Sequence, residues 1–211
     1  EEGTRFRILR KADGEEVATC TTDPAFGFHH VNAFERDGTV VCDVVTYPDA
    51  GIVDDLYLDR LRSDEPTPGT GHLRRYHLPL NGGAPSSHVL TDERLELPRI
   101  HDGAATAQPY RYVYGVGTHE PGQFTDQLVK VDVQAGTAQT WHEPGTYPGE
   151  PVFVPHPEGT AEDDGVVLSV VLDPEAEASV LLALDAASWT ERGRATVPHA
   201  IPFGFHGQFF D

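Results

Sequence analysis

Apolar and polar residues alternate through most of this chain. RFRILR (residues 5–10) and EVATCTT (16–22) follow the two-residue period that turns successive side chains to opposite faces of a sheet, and the Asp-Gly between them favours a tight hairpin. HHVNAFE (29–35) and TVVCDVVTY (39–47) repeat the arrangement around Arg36-Asp37-Gly38. Residues 52–62 place Val53, Leu56, Tyr57 and Leu61 at helical spacing behind an acidic start, which predicts a short helix, and the Pro- and Gly-rich SDEPTPGTGH (63–72) predicts a loop. Strand-like runs then recur about every ten residues: LRRYHLPL, SHVL, YRYVYGVG, QLVKVDV, AQTWHE, PVFVPHP, GVVLSVVLD, SVLLALDA and GRATVPH. This predicts an all-β chain with scarce helix and no internal linker, one domain over residues 1–211, built as a sandwich, a barrel or a propeller. At about 40–45 residues per blade, a propeller reading gives about four to five blades.

Composition narrows the partners. Fifteen Lys and Arg stand against 34 Asp and Glu, a formal net charge of −19, and only Lys11 and Lys130 are lysines. Such a chain repels nucleic-acid phosphates and anionic membrane surfaces. Many carboxylates with almost no lysine fit a halophilic source, where salt screens self-repulsion. No run approaches the roughly 18 apolar residues of a membrane helix, and the opening residues lack the basic start and apolar run of a secretory signal. The expected location is cytoplasmic, with peripheral membrane contact left open. The chain contains no methionine, which reads as a fragment or a processed piece. Cys20 and Cys42 form no CxxC pair and sit in strand-like runs, so two buried, reduced thiols are expected.

The candidate chemistry lies in two similar motifs, FGFHH (26–30) and FGFHG (203–207). Read as strands, the first puts His29 on a face with Val31 and Ala33, and His30 with Asn32 and Phe34. In the second, His206 faces away from Phe205, with Gly204 and Gly207 leaving room for close backbone approach. On its own, a histidine in such an aromatic setting reads more often as a hydrogen-bonded core residue than as a metal ligand. His72, His77, His88, His101, His119, His142, His156 and His199 lack a paired ligand spacing and read as solvated. Asp163-Asp164-Gly165 lacks calcium-loop spacing and reads as a turn. No GxSxG elbow, P-loop or dinucleotide fingerprint occurs.

In order along the chain, FHHVNAFE, LPL, LELPRI, YVYGVG, YPGEPVFVPHP, EDDGVVLSVVLD, LLALDA and IPFGFHGQF resemble the carotenoid cleavage oxygenases, the family of the retinal-pigment-epithelium isomerohydrolase and the apocarotenoid oxygenases. The resemblance implies the C-terminal part of a seven-bladed β-propeller whose non-haem Fe(II) is held by four histidines, three of them backed by glutamates. By position it implies His29 and His206 as ligands, Glu96 and Glu150 as two of the backing glutamates, and His30 as a neighbour of the site. The other two ligands and the third glutamate lie outside this chain.

Neutral imidazoles suit Fe(II), and glutamates accepting their second N–H fix the tautomer and offset the charge of the ion. The implied reaction joins dioxygen to a carotenoid or apocarotenoid and splits a conjugated double bond into aldehydes such as retinal. Phe26, Phe28, Phe203 and Phe205 are candidates for the walls of the substrate tunnel, or for core packing. Two alternatives stand beside this reading: a retinoid isomerase or hydrolase on the same scaffold, and a non-catalytic propeller fragment, since two ligands alone do not hold a catalytic iron.

Overall fold

The computed structural model describes residues 2–63, 70–120 and 123–210. Fourteen strands and three short helices make up its described regular structure. The first hairpin pairs β1 (Thr4–Leu9) with β2 (Glu16–Thr22). A seven-stranded path follows in chain order: β3 (His30–Arg36), β4 (Thr39–Thr46), β5 (Gly71–Pro79), β6 (Ser86–Arg99), β7 (Tyr112–Gly117), β8 (Gln127–Asp132) and β9 (Thr137–His142). The last sheet contains β10 (Tyr147–Pro148), β11 (Val152–Pro155), β12 (Gly165–Asp173), β13 (Ala178–Asp185) and β14 (Glu191–Val197), with β10 and β11 both pairing β12.

SHVL, which read as a short strand, and LELPR of the family motif belong to the single long strand β6, and it serves two sheets. Its first part pairs β5 as far as Leu95, and its last part pairs β7 from Glu96. The seven-stranded path is therefore two four-stranded blades sharing one long strand. With the hairpin and the final sheet this makes four sheet units, the blade repeat of part of a β-propeller.

Three apolar layers stack these units face to face. Phe6, Ile8 and Cys20 of the hairpin pack on Cys42, Val44, Tyr76 and Leu78 of the first blade. The opposite face of that blade sends Val41, Val45 and Leu73 against Leu95, Val113, Val129 and Val131 of the second. Tyr114, Val116 and Leu128 of the second blade then meet Phe153, Val167, Leu182 and Leu184 of the third. Leu73, Leu95, Val113, Val129 and Leu184 are fully buried, each stabilising the fold by about 1.5–3 kcal/mol relative to exposure. The near-continuous apolar run GVVLSVVLD is written for burial on both faces. Here the far face of β12 and β13 stays open, with Val170 and Leu181 exposed.

Both Asp-Gly hairpins form, and Asp37 and Gly38 take the positive φ values (51° and 70°) of the tight turn. Both cysteines are free and buried, and burial pushes the Cys42 thiol up to about 11.

Several expectations change. The helix over 52–62 is two short helices, α1 (Gly51–Asp55) and α2 (Leu58–Leu61), and its supposed apolar face is open: Ile52 is buried, while Val53, Leu56 and Tyr57 are exposed. The loop expected over 63–72 lies outside the described residues at 64–69. A third helix, α3 (Asp102–Ala105), was not anticipated. His29 precedes β3 instead of lying on it, and a bulge between His30 and Asn32 interrupts the alternation at its start: Asn32 and Phe34 share a buried face as expected, but His30 is exposed. FGFHG is not a strand at all, because residues 198–210 pair with no sheet. Gly204 has nothing within 4 Å of an added Cβ and Gly207 only Val152 at 3.9 Å, so neither makes the close approach expected of it.

Candidate metal centre

The first strand of each blade delivers one residue to a common region. Blade one begins with His29 and β3, blade two with Glu96 at the turnover point of β6, and blade three with Glu150 between β10 and β11. His206 follows β14.

Proline places both glutamates. Pro98 cannot donate to a ladder, and β6 bulges between Glu96 and Arg99 with Leu97 at φ +48°. Pro151 follows Glu150 in the gap between β10 and β11. At each break a carboxylate leaves the regular pleat, and both glutamates are buried. A carboxylate buried in this way must be paired.

Each finds a histidine. His29 Nδ1 lies 2.6 Å from Glu96 Oε2, and His206 Nδ1 lies 2.9 Å from Glu150 Oε1. The two rings are 5.2 Å apart between centroids and cross at 84°. With each Nδ1 taken by a carboxylate, the tautomer carrying its proton there leaves Nε2 of both rings as the available lone-pair donor.

The surroundings of the pairs differ. Glu96 also accepts the Tyr47 hydroxyl at 2.8 Å and the Leu97 N–H at 2.9 Å. Burial, then the neighbouring Glu96 carboxylate, drives the Tyr47 hydroxyl well above the usual phenol range, so it serves as a donor. His29 is fixed from its backbone as well, its carbonyl accepting the Val45 N–H at 3.0 Å. Gly27 makes that approach sterically feasible, since a Cβ there would sit 2.6 Å from the Val45 carbonyl oxygen. Glu150 instead accepts the Gly207 N–H at 2.7 Å and faces Arg99 Nη1 at 3.5 Å.

His30 points elsewhere, with its Nδ1 3.8 Å from Cys42 Sγ. Phe26 packs against the core beneath the first motif and meets Phe28 edge-on at 5.0 Å. Phe28 is exposed and 6.4 Å from the His29 ring. Phe203 and Phe205, both exposed, line an open apolar cleft of about 330 Å³ that also borders Glu150 and His206. Phe124 packs on Phe203 at 4.9 Å, a contact no local motif announced.

Four residues near the centre were missed in the sequence: Tyr47, Arg99, Phe124 and Gln208. Only Arg99 left a trace, as a cation beside Glu96 in an otherwise apolar strand end. Other histidines depart from plain solvation. His119 and His142 stack at 4.1 Å, His77 stacks on His88 at 5.7 Å, and burial lowers the pKa of His72 and His77. Asp163 begins the expected turn, which leads into β12 at Gly165, and holds the buried Lys130 at 2.7 Å.

Among the described residues no group of three or more His, Cys, Asp or Glu is gathered to hold a metal. The donor set nonetheless fits a shared divalent ion. Two imidazole rings lie 5.2 Å apart between centroids with Nδ1 of each on a buried glutamate, which leaves Nε2 as the ligating atom and puts two anionic partners behind the rings to offset charge.

A family model described as retinal pigment epithelial membrane protein matches residues 1–211. The carotenoid isomerooxygenase of Galleria mellonella is 35% identical over 220 residues, covering 98% of this chain and 43% of its own length. The carotenoid dioxygenase of Neurospora crassa is 37% identical, over 95% of this chain and 38% of its own. Among solved structures, a cobalt-substituted apocarotenoid oxygenase from Synechocystis superposes with a TM-score of 0.87 at 27% identity, covering 98% of this chain and 43% of that one. The chain thus spans less than half the length of these relatives.

Proposed function

The chain belongs to the retinal pigment epithelial membrane protein family, the carotenoid cleavage oxygenases, and from that premise we propose that the full-length protein is an Fe(II)-dependent oxygenase. It splits a conjugated carbon–carbon double bond of a carotenoid or apocarotenoid into aldehydes such as retinal. The observation that carries this reading is the pair of imidazoles 5.2 Å apart, each held through Nδ1 by a buried glutamate.

His29 and His206 are the ligands this chain contributes, through Nε2. When bound, ferrous iron supplies the redox chemistry that joins dioxygen to the double bond. Glu96 and Glu150 keep each ring in the ligating tautomer and place two negative charges where the ion needs them. The exposed rings of Phe28, Phe203 and Phe205 provide apolar surface beside the two histidines for a long polyene, while Phe26 supports Phe28 from below. None of these groups needs to transfer a proton, so the contribution of this chain is placement and charge.

Among the described residues no helix is long and apolar enough to cross a membrane. A cytoplasmic protein that draws its apolar substrate from a membrane surface by peripheral contact fits this reading.

The test is incubation of the full-length, iron-loaded protein with dioxygen and β-carotene or an apocarotenoid. Aldehyde should form with matching oxygen uptake. Turnover of a retinoid ester with dioxygen unchanged would favour the isomerase or hydrolase reading, and no product from any carotenoid tried would defeat cleavage.

A further inference from the structure

His206 is a poor candidate for orientation by packing. Its side chain is 59% exposed, its neighbour Phe205 is 79% exposed, and the segment pairs with no strand. Something else must hold it.

The polar contacts of residues 206–208 converge on two side chains. His206 Nδ1 and the Gly207 N–H go to the two oxygens of Glu150. Arg99 donates from Nη1 to the Gly207 carbonyl at 2.9 Å and from Nη2 to Gln208 Oε1 at 2.7 Å, with Nη1 also 3.5 Å from Glu150 Oε2. Asp102 at 3.1 Å steadies the guanidinium from behind. The Arg99 side chain is 15% exposed and that of Glu150 only 3%, so the Arg99–Glu150 end of this charge-assisted set is shielded while its Gly207, Gln208 and Asp102 ends meet solvent. Arg99 is also three residues from Glu96, on the bulged end of β6. One short piece of strand therefore carries the carboxylate that holds His29 and the guanidinium that holds the tail bearing His206.

We propose that Arg99 is a positioning residue that fixes the separation of the two ligand imidazoles by tying residues 206–208 to the strand that carries Glu96. It touches neither metal nor substrate. The inference rests on the metal reading above, but goes beyond it in assigning the spacing of the ligands to a residue outside the histidine and glutamate set. The planar fork matters because Gly207 and Gln208 are bonded from two separate nitrogens, Nη1 and Nη2, where a lysine keeps the charge but offers only one.

The experiment loads the full-length protein with cobalt(II) alone, records its visible absorption, and follows release to a chelator. Arg99→Ala should release cobalt about 10–100 times faster, as loss of an outer hydrogen-bond partner does, with a changed spectrum. Arg99→Lys should fall between it and the parent. Arg111→Ala, which removes the more exposed Arg111–Asp132 pair, should leave both readouts unchanged. Release at the parental rate from Arg99→Ala overturns the proposal; where that variant fails to fold, parental release from Arg99→Lys does so. His206→Ala keeps the two ideas apart. If it releases cobalt faster while the Arg99 variants do not, only the role of Arg99 falls; if it too behaves as the parent, the metal reading itself falls.

Discussion

FGFHH and FGFHG are nearly the same word, yet the fold uses them in opposite ways. In the first, Phe26 is packed on the core, Gly27 lies against β4, and His29 is 23% exposed with its own carbonyl in the sheet ladder. In the second, both phenylalanines are exposed, Gly204 meets nothing, and His206 is held by Glu150 within a clamp completed by Arg99. Nδ1 of each imidazole rests on a glutamate, but the chain around His29 is anchored in the core whereas residues 206–208 hang on charge-assisted hydrogen bonds. The packed half keeps the apolar contacts of Phe26 in reserve behind its polar ones. The clamped half has less, chiefly the contact of Phe203 with Phe124 and Tyr147.

The strongest challenge to that contrast is removal of the two proposed ligands. His29→Ala and His206→Ala should each leave the full-length protein with substoichiometric iron and cut cleavage at least about 100-fold, beyond the usual cost of an outer-shell loss. Metal analysis and turnover read this directly, and a silent His206→Ala would remove the tail from the centre.

Exchanging the glutamates sharpens the comparison. Glu150→Gln and Glu96→Gln should each weaken iron affinity by about 10–100-fold, with Glu150→Gln the larger, because Glu150 secures both a ring and the backbone of the tail. Competition against a calibrated chelator ranks them, and the reverse order would contradict the packed-versus-clamped distinction.

Tyr47→Phe probes the packed half more gently. It removes one hydrogen bond to a buried carboxylate, worth about 1.5–3 kcal/mol, so denaturant titration should show that loss while iron affinity changes only a few-fold.

The smallest effect concerns the thiol behind His30. With its pKa raised to about 11 by burial and the neighbouring Asp43, Cys42 stays protonated at pH 8 and should resist alkylation until the protein unfolds. The raised value also sets a sign. The thiol favours the folded state fully below the unfolded thiol range near pH 9 and loses that contribution as pH climbs toward 11. Stability rising across that window would show that another group controls it.

Local pattern carried much of this structure. Period-two runs and Asp-Gly pairs located the hairpins, and the residue order of the family motifs pointed to His29, His206, Glu96 and Glu150. Three features were hidden for physical reasons. The bulges at His30 and Glu96 depend on partner strands, so strict alternation put His30 on the buried face of Asn32 and Phe34, from which it is absent, and gave no sign of the turn that exposes the Glu96 carboxylate to His29. The tail read as a strand because FGFHG has strand composition, but no neighbouring strand pairs with it. Arg99 meets Gly207 and Gln208 from 108 and 109 residues away, a separation that no spacing rule reaches.

The central claim is that His29 and His206 share one ion through Nε2 while their Nδ1 atoms rest on glutamates. Anomalous diffraction at the iron edge from crystals of the full-length, iron-loaded protein tests it most directly. The expected result is a single peak bonded to Nε2 of both rings, with Glu96 and Glu150 behind them. A peak bonded through Nδ1, or one that includes only one of these histidines, would contradict it.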